Sequence, residues 1–252
     1  MSKDDLRAQA KQVAEYIKQA KKIVFFTGAG MSTGSGIPDF RSQGGIYDHA
    51  EEKGFNREEV LSINFLHRNP KDAYYFLGLF TFEDAFPNSG HKFIAELENN
   101  GKDVSVVTQN CDRLHQEAGS SKVYELHGNS VYWTNMNKRN QIPYSDVIWT
   151  DDGMAVNAQG QRMRPDIVLF GEGLDGKTVN KSVKAIEDAD LLFVLGTSLA
   201  VYPAAMFIDY FGGDHVVLVN KSETMRSVKA DVQIRDDIVK FFELVDEELN
   251  IL

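Results

Sequence analysis

In six places along the 252-residue chain a continuous apolar run ends directly in glycine or polar residues. TGAG follows Ile23–Phe26, TQNCD follows Val104–Val107 and HGN follows Val123–Leu126. GE follows Ile167–Phe170, GTS follows Leu191–Leu195, and Asn220 follows Val216–Val219. The loop from Gly28 through Ala29, Gly30 and Ser32 to Gly34 and Gly36 has the composition of a phosphate cradle. Glycine lets the backbone approach a pyrophosphate, and a following helix start offers N–H groups to the anion. Its G-x-G-x-x-x-G spacing is one residue longer than the dehydrogenase fingerprint, and no second strand ending in an acidic residue follows. Ile37-Pro38-Asp39-Phe40-Arg41 stands there instead, and Pro38 lacks an N–H for an inner strand or helix. Hydride transfer is therefore disfavoured. His127 opens the HGN group with an imidazole whose ordinary pKa suits general-base work near neutrality. Taken alone, such a histidine is more often structural than catalytic. His91, His115 and His215 read as structural or exposed.

The elements that must carry these residues follow from the apolar pattern. Leu6, Ala10, Val13, Ile17 and Ala20 lie on one face of a helix over residues 3–20. The short runs are continuous rather than alternating, which suits strands buried on both faces of a parallel sheet, and Val232–Ile234 is a further candidate. Helical stretches at 90–99, 177–188, 201–211 and about 236–249 alternate with them, the pattern of a doubly wound, Rossmann-like α/β sheet. In such a sheet ligands bind beyond the carboxyl ends of the strands, where the polar groups collect. Strands must end in turn residues anyway; six such endings together favour a site. Two segments break the rhythm. Residues 47–85 read as helices, and 129–164 are polar and turn-rich. The expected division is a Rossmann-like domain of residues 1–46, 86–128 and 165–252, with a smaller lobe of 47–85 and 129–164.

Composition narrows the class. With 27 Lys+Arg against 37 Asp+Glu the net charge is −10, which argues against nucleic acid as a partner. The single cysteine, Cys111, excludes an internal disulfide and a structural zinc cage of four thiolates or of three thiolates and an imidazole. No apolar run approaches the roughly 20 residues of a membrane span, and the start MSKDDLRAQAKQ is too polar for a signal peptide. A cytoplasmic protein without membrane partners is expected; the oligomeric state is left open.

The segments GAGMSTGSGIPDFRS, TQNCDRLH, LHGN, RPDIVLFGE, GTSLAVYPAA and VLVN, taken in order, resemble the sirtuin family of NAD-dependent protein deacylases over about residues 20–220. The resemblance implies a large Rossmann-type domain, a small lobe of helices plus a zinc-bearing module, and NAD meeting an acyl-lysine peptide in the cleft between them. By that resemblance Gly28, Ala29, Gly30, Ser32 and Arg41 would contact the NAD phosphates and nearby ribose. Asp39, Asn110 and Asp112 would form the nicotinamide pocket beside Ile37 and Phe40, and Gln109 would bond the adjoining ribose. Gly196, Thr197, Ser198 and Asn220 would hold the adenosine side, with Arg235 or Asp236 near the adenine. Val168, Phe170, Gly171 and Glu172 would grip the substrate, while His127, Asn110 and Asp112 would be the catalytic set. The chemistry fits these types: a leaving nicotinamide puts positive charge on the ribose carbon, which acidic groups can steady, and a base must take a ribose hydroxyl proton. The implied activity is lysine deacylation with acyl transfer to ADP-ribose. Protein ADP-ribosyl transfer, NAD hydrolysis and, less well supported, non-catalytic sensing of NAD or ADP-ribose are alternatives.

The chain also departs from the family pattern. The two Cys-x-x-Cys pairs usual in the zinc module are absent from 129–164, so a metal-free module is expected, held by Val131, Tyr132, Trp133, Tyr144, Val147, Ile148 and Trp149. Where relatives that remove acidic acyl groups carry Tyr-x-x-Arg, this chain has Leu77-Gly78-Leu79-Phe80, which favours a neutral, apolar acyl group. Tyr74, Tyr75, Phe76, Phe80 and Phe82 are either an acyl pocket or plain core, with core favoured. Cys111 is either a redox-sensitive thiol or, more in keeping with its type, a buried filler.

Overall fold

The computed structural model describes residues 3–40, 44–82 and 84–252. In chain order its first half comprises α1 (Lys3–Gln19), β1 (Lys22–Thr27), α2 (Ile46–Glu52), α3 (Ile63–Arg68), α4 (Pro70–Gly78), α5 (Ser89–Asn99), β2 (Asp103–Thr108), α6 (Leu114–Glu117), β3 (Val123–Glu125) and β4 (Gly128–Asn135). There follow β5 (Gln141–Pro143), β6 (Ile148–Trp149), β7 (Ala155–Val156), β8 (Met163–Ile167), α7 (Gly176–Glu187), β9 (Leu191–Leu195), β10 (His215–Val219), β11 (Val232–Ile234) and α8 (Ile238–Leu249).

Six strands form one parallel sheet in the order β11-β10-β9-β1-β2-β3. The unbroken apolar runs are explained by burial on both faces. Along β1, Ile23 and Phe25 pack with α1, α5 and α8, while Val24 and Phe26 pack with α7 and the tight helical segment Ala204–Tyr210. Stacked rings fill the first layer, Phe25 on Phe193 at 4.7 Å and Phe93 on Phe242 at 4.8 Å between centroids. Side-chain caps fix the helix starts: Asn88 on α5, Asp175 on α7 and Asp237 on α8 accept from the first free N–H groups. The chain runs outward from β1 through β2 to β3, then returns to the other side of β1 for β9 to β11. The strand order therefore reverses beside β1, and the crevice that opens at such a reversal is where the glycine loop lies.

A second apolar cluster forms apart from the sheet. Phe65, Tyr74, Phe76 and Leu77 from α3 and α4 pack there with Trp133, Met163, Ile167 and Leu169. Beside it run the antiparallel sheet β5-β4-β8 and the hairpin β6–β7.

Three expectations change. The run Ile167–Phe170 is not a strand of the parallel sheet: β8 ends at Ile167 and pairs antiparallel with β4, and Phe170 bridges to Ser62. Ile167 and Leu169 are buried with α3 and α4, while Val168 and the 41% exposed Phe170 line the cleft, and an apolar run does not tell these surroundings from burial between two helical layers. Of the aromatic run, Tyr74, Phe76 and Phe80 are core, whereas Tyr75 is exposed and Phe82 packs at the core's margin. In the 129–164 segment Trp133 is the hub, fully buried, with Tyr144 at 5.7 Å and Trp149 at 5.6 Å. Tyr144 and Val147 pack against the same cluster, but Val131, Tyr132 and Ile148 are exposed, because their side chains fall outside the face that meets α4.

Candidate functional site

A cleft of about 730 Å³ opens at the carboxyl edge of the parallel sheet, a size that suits a small-molecule or cofactor site. Gly28, Ala29 and Gly30 from the end of β1 form one wall, and Gly196, Thr197 and Ser198 from the end of β9 lie against them. The two loops touch backbone to backbone: the N–H of Gly30 donates to the Gly196 carbonyl at 2.8 Å, and that of Gly28 to the Leu195 carbonyl at 3.0 Å. A Cβ added at Gly30 would lie 2.7 Å from the Gly196 Cα, so glycine is required by close approach. The loop then winds through two tight turns, Ala29–Met31 and Thr33–Ser35.

The turn after β2 supplies the next group. Asn110 is buried; its Nδ2 donates to the Gly28 carbonyl and to Ser32 Oγ, both at 3.1 Å, and its backbone N–H donates to Thr108 Oγ1 at 3.0 Å. With both amide protons engaged, Oδ1 is the acceptor that the side chain has left for a ligand. Gln109 donates from Nε2 to Thr197 Oγ1 at 3.0 Å and so links β2 to β9 across the cleft floor.

His127 lines the same cleft, just beyond β3. Its Nδ1 lies 3.1 Å from the Gln109 carbonyl, a contact that requires the proton on Nδ1 and leaves the Nε2 lone pair available. Burial lowers the imidazole pKa below its ordinary value, and the backbone bond to Gln109 offsets part of that. The ring is therefore a neutral base near pH 7. Its position is fixed from the other side by the Val168 N–H, which donates to the His127 carbonyl at 2.9 Å.

Val168, Phe170, Gly171 and Glu172 also line the cleft. Phe170 is held at its backbone, donating to the Leu61 carbonyl at 2.9 Å and accepting from the Ile63 N–H at 3.0 Å. The Glu172 side chain has a different role from the one expected. Its carboxylate accepts from Arg164 Nη2 at 2.6 Å and from the Leu169 N–H at 2.9 Å, so it folds the loop on itself instead of reaching for a substrate. Arg164 is 1% exposed, and a buried guanidinium needs such a partner.

Several expected residues stand outside the cleft wall. Ser32 and Asp112 lie behind Asn110, both buried, with Ser32 Oγ donating to Asp112 Oδ2 at 2.6 Å and the Leu114 N–H donating to Oδ1 at 3.0 Å. Burial raises the Asp112 pKa, and these donors oppose that. Asp112 thus braces Ser32 and Asn110, because the tight turn points it away from the cavity. Ile37 is half-buried behind the wall, its N–H 3.4 Å from the Ser32 carbonyl. Arg235 pairs with Glu223 at 2.8 Å, and Asp236 with Lys240 at 3.0 Å. Both are committed to surface pairs, Arg235 with the loop after β10 and Asp236 with α8, and Asn220, Lys221, Ser222 and Ile238 line that end of the cleft instead. Asp39 and Phe40 do line it, whereas Arg41 lies outside the described residues.

Sequence reasoning missed Tyr47, Leu61 and Tyr202, which line the cleft and carry no polar motif, and also Arg164. For Arg164 the signal was weak: a cation in the short strand MRPDI calls for an anion only if it is buried, and the strand carries Asp166 itself. Cys111 lines the cleft half-buried, its Sγ 3.5 Å from the His127 carbonyl. Burial pushes its thiol pKa up, so it remains a protonated filler. Among the described residues no group of three or more His, Cys, Asp or Glu is placed to hold a metal ion, and no helix is long and apolar enough to cross a membrane.

Comparison with known proteins places this geometry in context. The sequence model described as the Sir2 family matches residues 28–203. A protein of Staphylococcus epidermidis (strain ATCC 12228 / FDA PCI 1200) named NAD-dependent protein deacetylase is 41% identical over 247 residues, covering 96% of this chain and 97% of the relative. One of the same name from Clostridium acetobutylicum is 42% identical over 238 residues, 93% of this chain and 96% of the relative. Among solved structures, a Sir2 protein with a peptide and NAD+ superposes with a TM-score of 0.83 at 36% identity, covering 96% of this chain and 99% of the other. Sir2 bound to an acetylated peptide gives 0.82 at 34% identity with the same coverage.

Proposed function

The chain belongs to the Sir2 family, and on that premise we propose that its cleft removes acyl groups from protein lysines as an NAD-dependent protein deacetylase. The observation that carries the reading is the neutral His127 facing one cavity together with Asn110 and the glycine loop. The wall fits NAD: no Cβ can enter between Gly28–Gly30 and Gly196–Thr197, so backbone stands where phosphates need close approach. When bound, NAD supplies an electrophilic ribose carbon and, once nicotinamide has left, the hydroxyl that receives the acyl group.

The protein's part is positioning and proton transfer. Gly28, Ala29 and Gly30 hold the phosphates, and Gly196, Thr197, Ser198 and Asn220 the adenosine side. Asn110 Oδ1 and Asp39 hold the nicotinamide carboxamide beside Phe40, and Gln109 orients the ribose. His127 Nε2 takes the ribose hydroxyl proton. Ser32 and Asp112 act through Asn110, and Glu172 acts through the loop that it folds. Val168, Phe170 and Gly171 present the substrate-gripping segment. Phe40, Tyr47, Leu61, Phe80, Ile167 and Leu169 give the cleft an apolar side, which supports a neutral acyl group.

The same reading divides the chain into the sheet domain of 1–46, 86–128 and 165–252 and a small lobe of 47–85 and 129–164. The lobe's module works without zinc, with the ring contacts of Trp133 to Tyr144 and Trp149 in place of a metal centre. The single cysteine supports a cytoplasmic location, and the net charge of −10 supports a protein substrate over a nucleic acid. The test is to incubate purified protein with NAD and an acetylated peptide and weigh every product by mass spectrometry. O-acetyl-ADP-ribose with equimolar nicotinamide is expected. A protein shifted by ADP-ribose, or ADP-ribose alone, would replace this reading with transfer or hydrolysis. Asn110→Ala and His127→Ala should each abolish the acetylated product while leaving the protein folded at the assay temperature.

A further inference from the structure

We propose that His115, a residue outside the cleft wall, is a positioning residue for the nicotinamide pocket and acts through the hydroxyls of Thr27 and Thr108. The proposal rests on the reading of Gln109–Asp112 as that pocket. Thr108 enters the turn, His115 follows it in α6, and Thr27 stands beside both at the end of the neighbouring strand β1. His115 is 1% exposed, and its Nε2 lies 3.1 Å from Thr27 Oγ1. Thr27 Oγ1 donates to Thr108 Oγ1 at 2.8 Å, and Thr108 Oγ1 accepts the Asn110 N–H at 3.0 Å. The Gln109 N–H donates to the Thr27 carbonyl at 3.0 Å. Both pocket residues therefore hang from one clasp that joins the two ends of the turn.

With the Thr27 hydroxyl proton given to Thr108, His115 is the donor through Nε2–H; in the reverse sense Thr108 donates to Thr27 and Thr27 to Nε2, and the same two bonds are made. Water does not reach these groups, so a bond cut here is not replaced by solvent. The His115 ring meets His91 edge-on with centroids 4.7 Å apart, and His91 is fully buried too. His91 Nδ1 accepts the Asn88 N–H at 3.3 Å, and Asn88 Nδ2 donates to the Met31 carbonyl at 2.9 Å and to Ser35 Oγ at 3.0 Å. The two imidazoles thus stand between the pocket turn and the glycine loop, each tied to one of them.

Calorimetric titration with NAD and with ADP-ribose, in the presence of an unacylated lysine peptide, separates nicotinamide contacts from the rest of the dinucleotide without turnover. His115→Phe, which removes one buried hydrogen bond, and Thr27→Val, which removes that bond and the one to Thr108, should each weaken NAD by about tenfold or more and leave ADP-ribose almost unaffected. His115→Gln, whose amide nitrogen reaches the place of Nε2, should recover most of the NAD affinity. The double variant His115→Phe/Thr27→Val should bind no more weakly than Thr27→Val alone, because both cut the same chain. An unchanged ratio of NAD to ADP-ribose affinity in both single variants, or additive losses in the double, overturns the proposal. Thr27→Val, nearly isosteric, decides the matter where His115→Phe fails to fold. Asn110→Ala serves as the control on the pocket itself: an unaltered affinity ratio there overturns the pocket reading, a result distinct from failure of the clasp.

Discussion

One methyl group at Gly128 should disable the enzyme more than it unfolds it. Gly128 follows the base His127, opens β4 opposite Ile167 of β8, and has a φ of +72°. A Cβ built there lies 2.0 Å from the Asp166 carbonyl oxygen, whereas ordinary contact begins near 3.4 Å, so about 1.4 Å must be found. The obstacle is backbone and cannot rotate aside; either β8 slides away from β4, or Gly128 and His127 shift toward the cleft. The left-handed conformation adds roughly 1–2 kcal/mol for any residue with a Cβ, and overpacking about 1–3 more, which gives a stability loss of about 2–5 kcal/mol for Gly128→Ala. A displacement of the base by about 1 Å lowers turnover on the order of a hundredfold. Steady-state deacetylation of an acetylated peptide, measured well below the melting temperature, should show kcat down by about that factor with the KM for NAD little changed, because the glycine loop is remote from the clash. A kcat within about twofold of the parent, with an unchanged melting temperature, would refute the reasoning.

Three further outcomes follow from buried groups. Stability should fall as the pH drops below about 6.5: burial pushes His91 down to about 3 and His115 well below its usual value, so the unfolded chain binds protons that the folded rings refuse. The contribution is complete above 6.5 and declines by up to about 1.4 kcal/mol per pH unit for each ring, so calorimetric melting between pH 7.5 and 5.5 should show the slope, and His91→Phe should flatten it. Arg164→Met removes the nearer and buried cation of the Glu172 carboxylate and leaves only Lys138 at 3.8 Å, which should cost up to about 3–5 kcal/mol and raise the KM for peptide more than that for NAD; equal rises would contradict the loop-folding role. Purified protein should carry no stoichiometric zinc, and a chelator should leave its melting curve in place; elemental analysis finding one zinc per chain would reject the metal-free module.

How far residue order discloses the molecule depends on what buries each stretch. The strands β1, β2 and β9 are readable because helices cover both faces, and a run such as Ile23–Phe26 then has no polar member. Ile167–Phe170 has the same texture, but only Ile167 and Leu169 are buried, against a helical insert far away in sequence, and nothing local marks the difference. The site residues divide in a similar way. Asn110 and His127 are named by motif and face the cleft, while Ser32 and Asp112 belong to the same motifs and turn inward, since a tight turn sends neighbours to opposite sides. Arg235 and Asp236 were assigned by their place in the family pattern, and local pairing with Glu223 and Lys240 holds them away. His115 looked structural because a histidine's partners are invisible until the strands are laid side by side.

Both tryptophans of the chain, Trp133 and Trp149, sit together at the second apolar cluster, and the six-stranded sheet has none. The intrinsic fluorescence of this protein is therefore a local gauge. Trp133, sealed from water, should emit toward the blue, and Trp149, 39% exposed and 5.6 Å away, toward the red, with excitation passing between them. Light from these two rings reports the second apolar cluster, while circular dichroism reports the helices and strands of the whole chain. Recording both during a single denaturant titration tells whether that cluster and the rest of the chain come apart in one cooperative event or in succession.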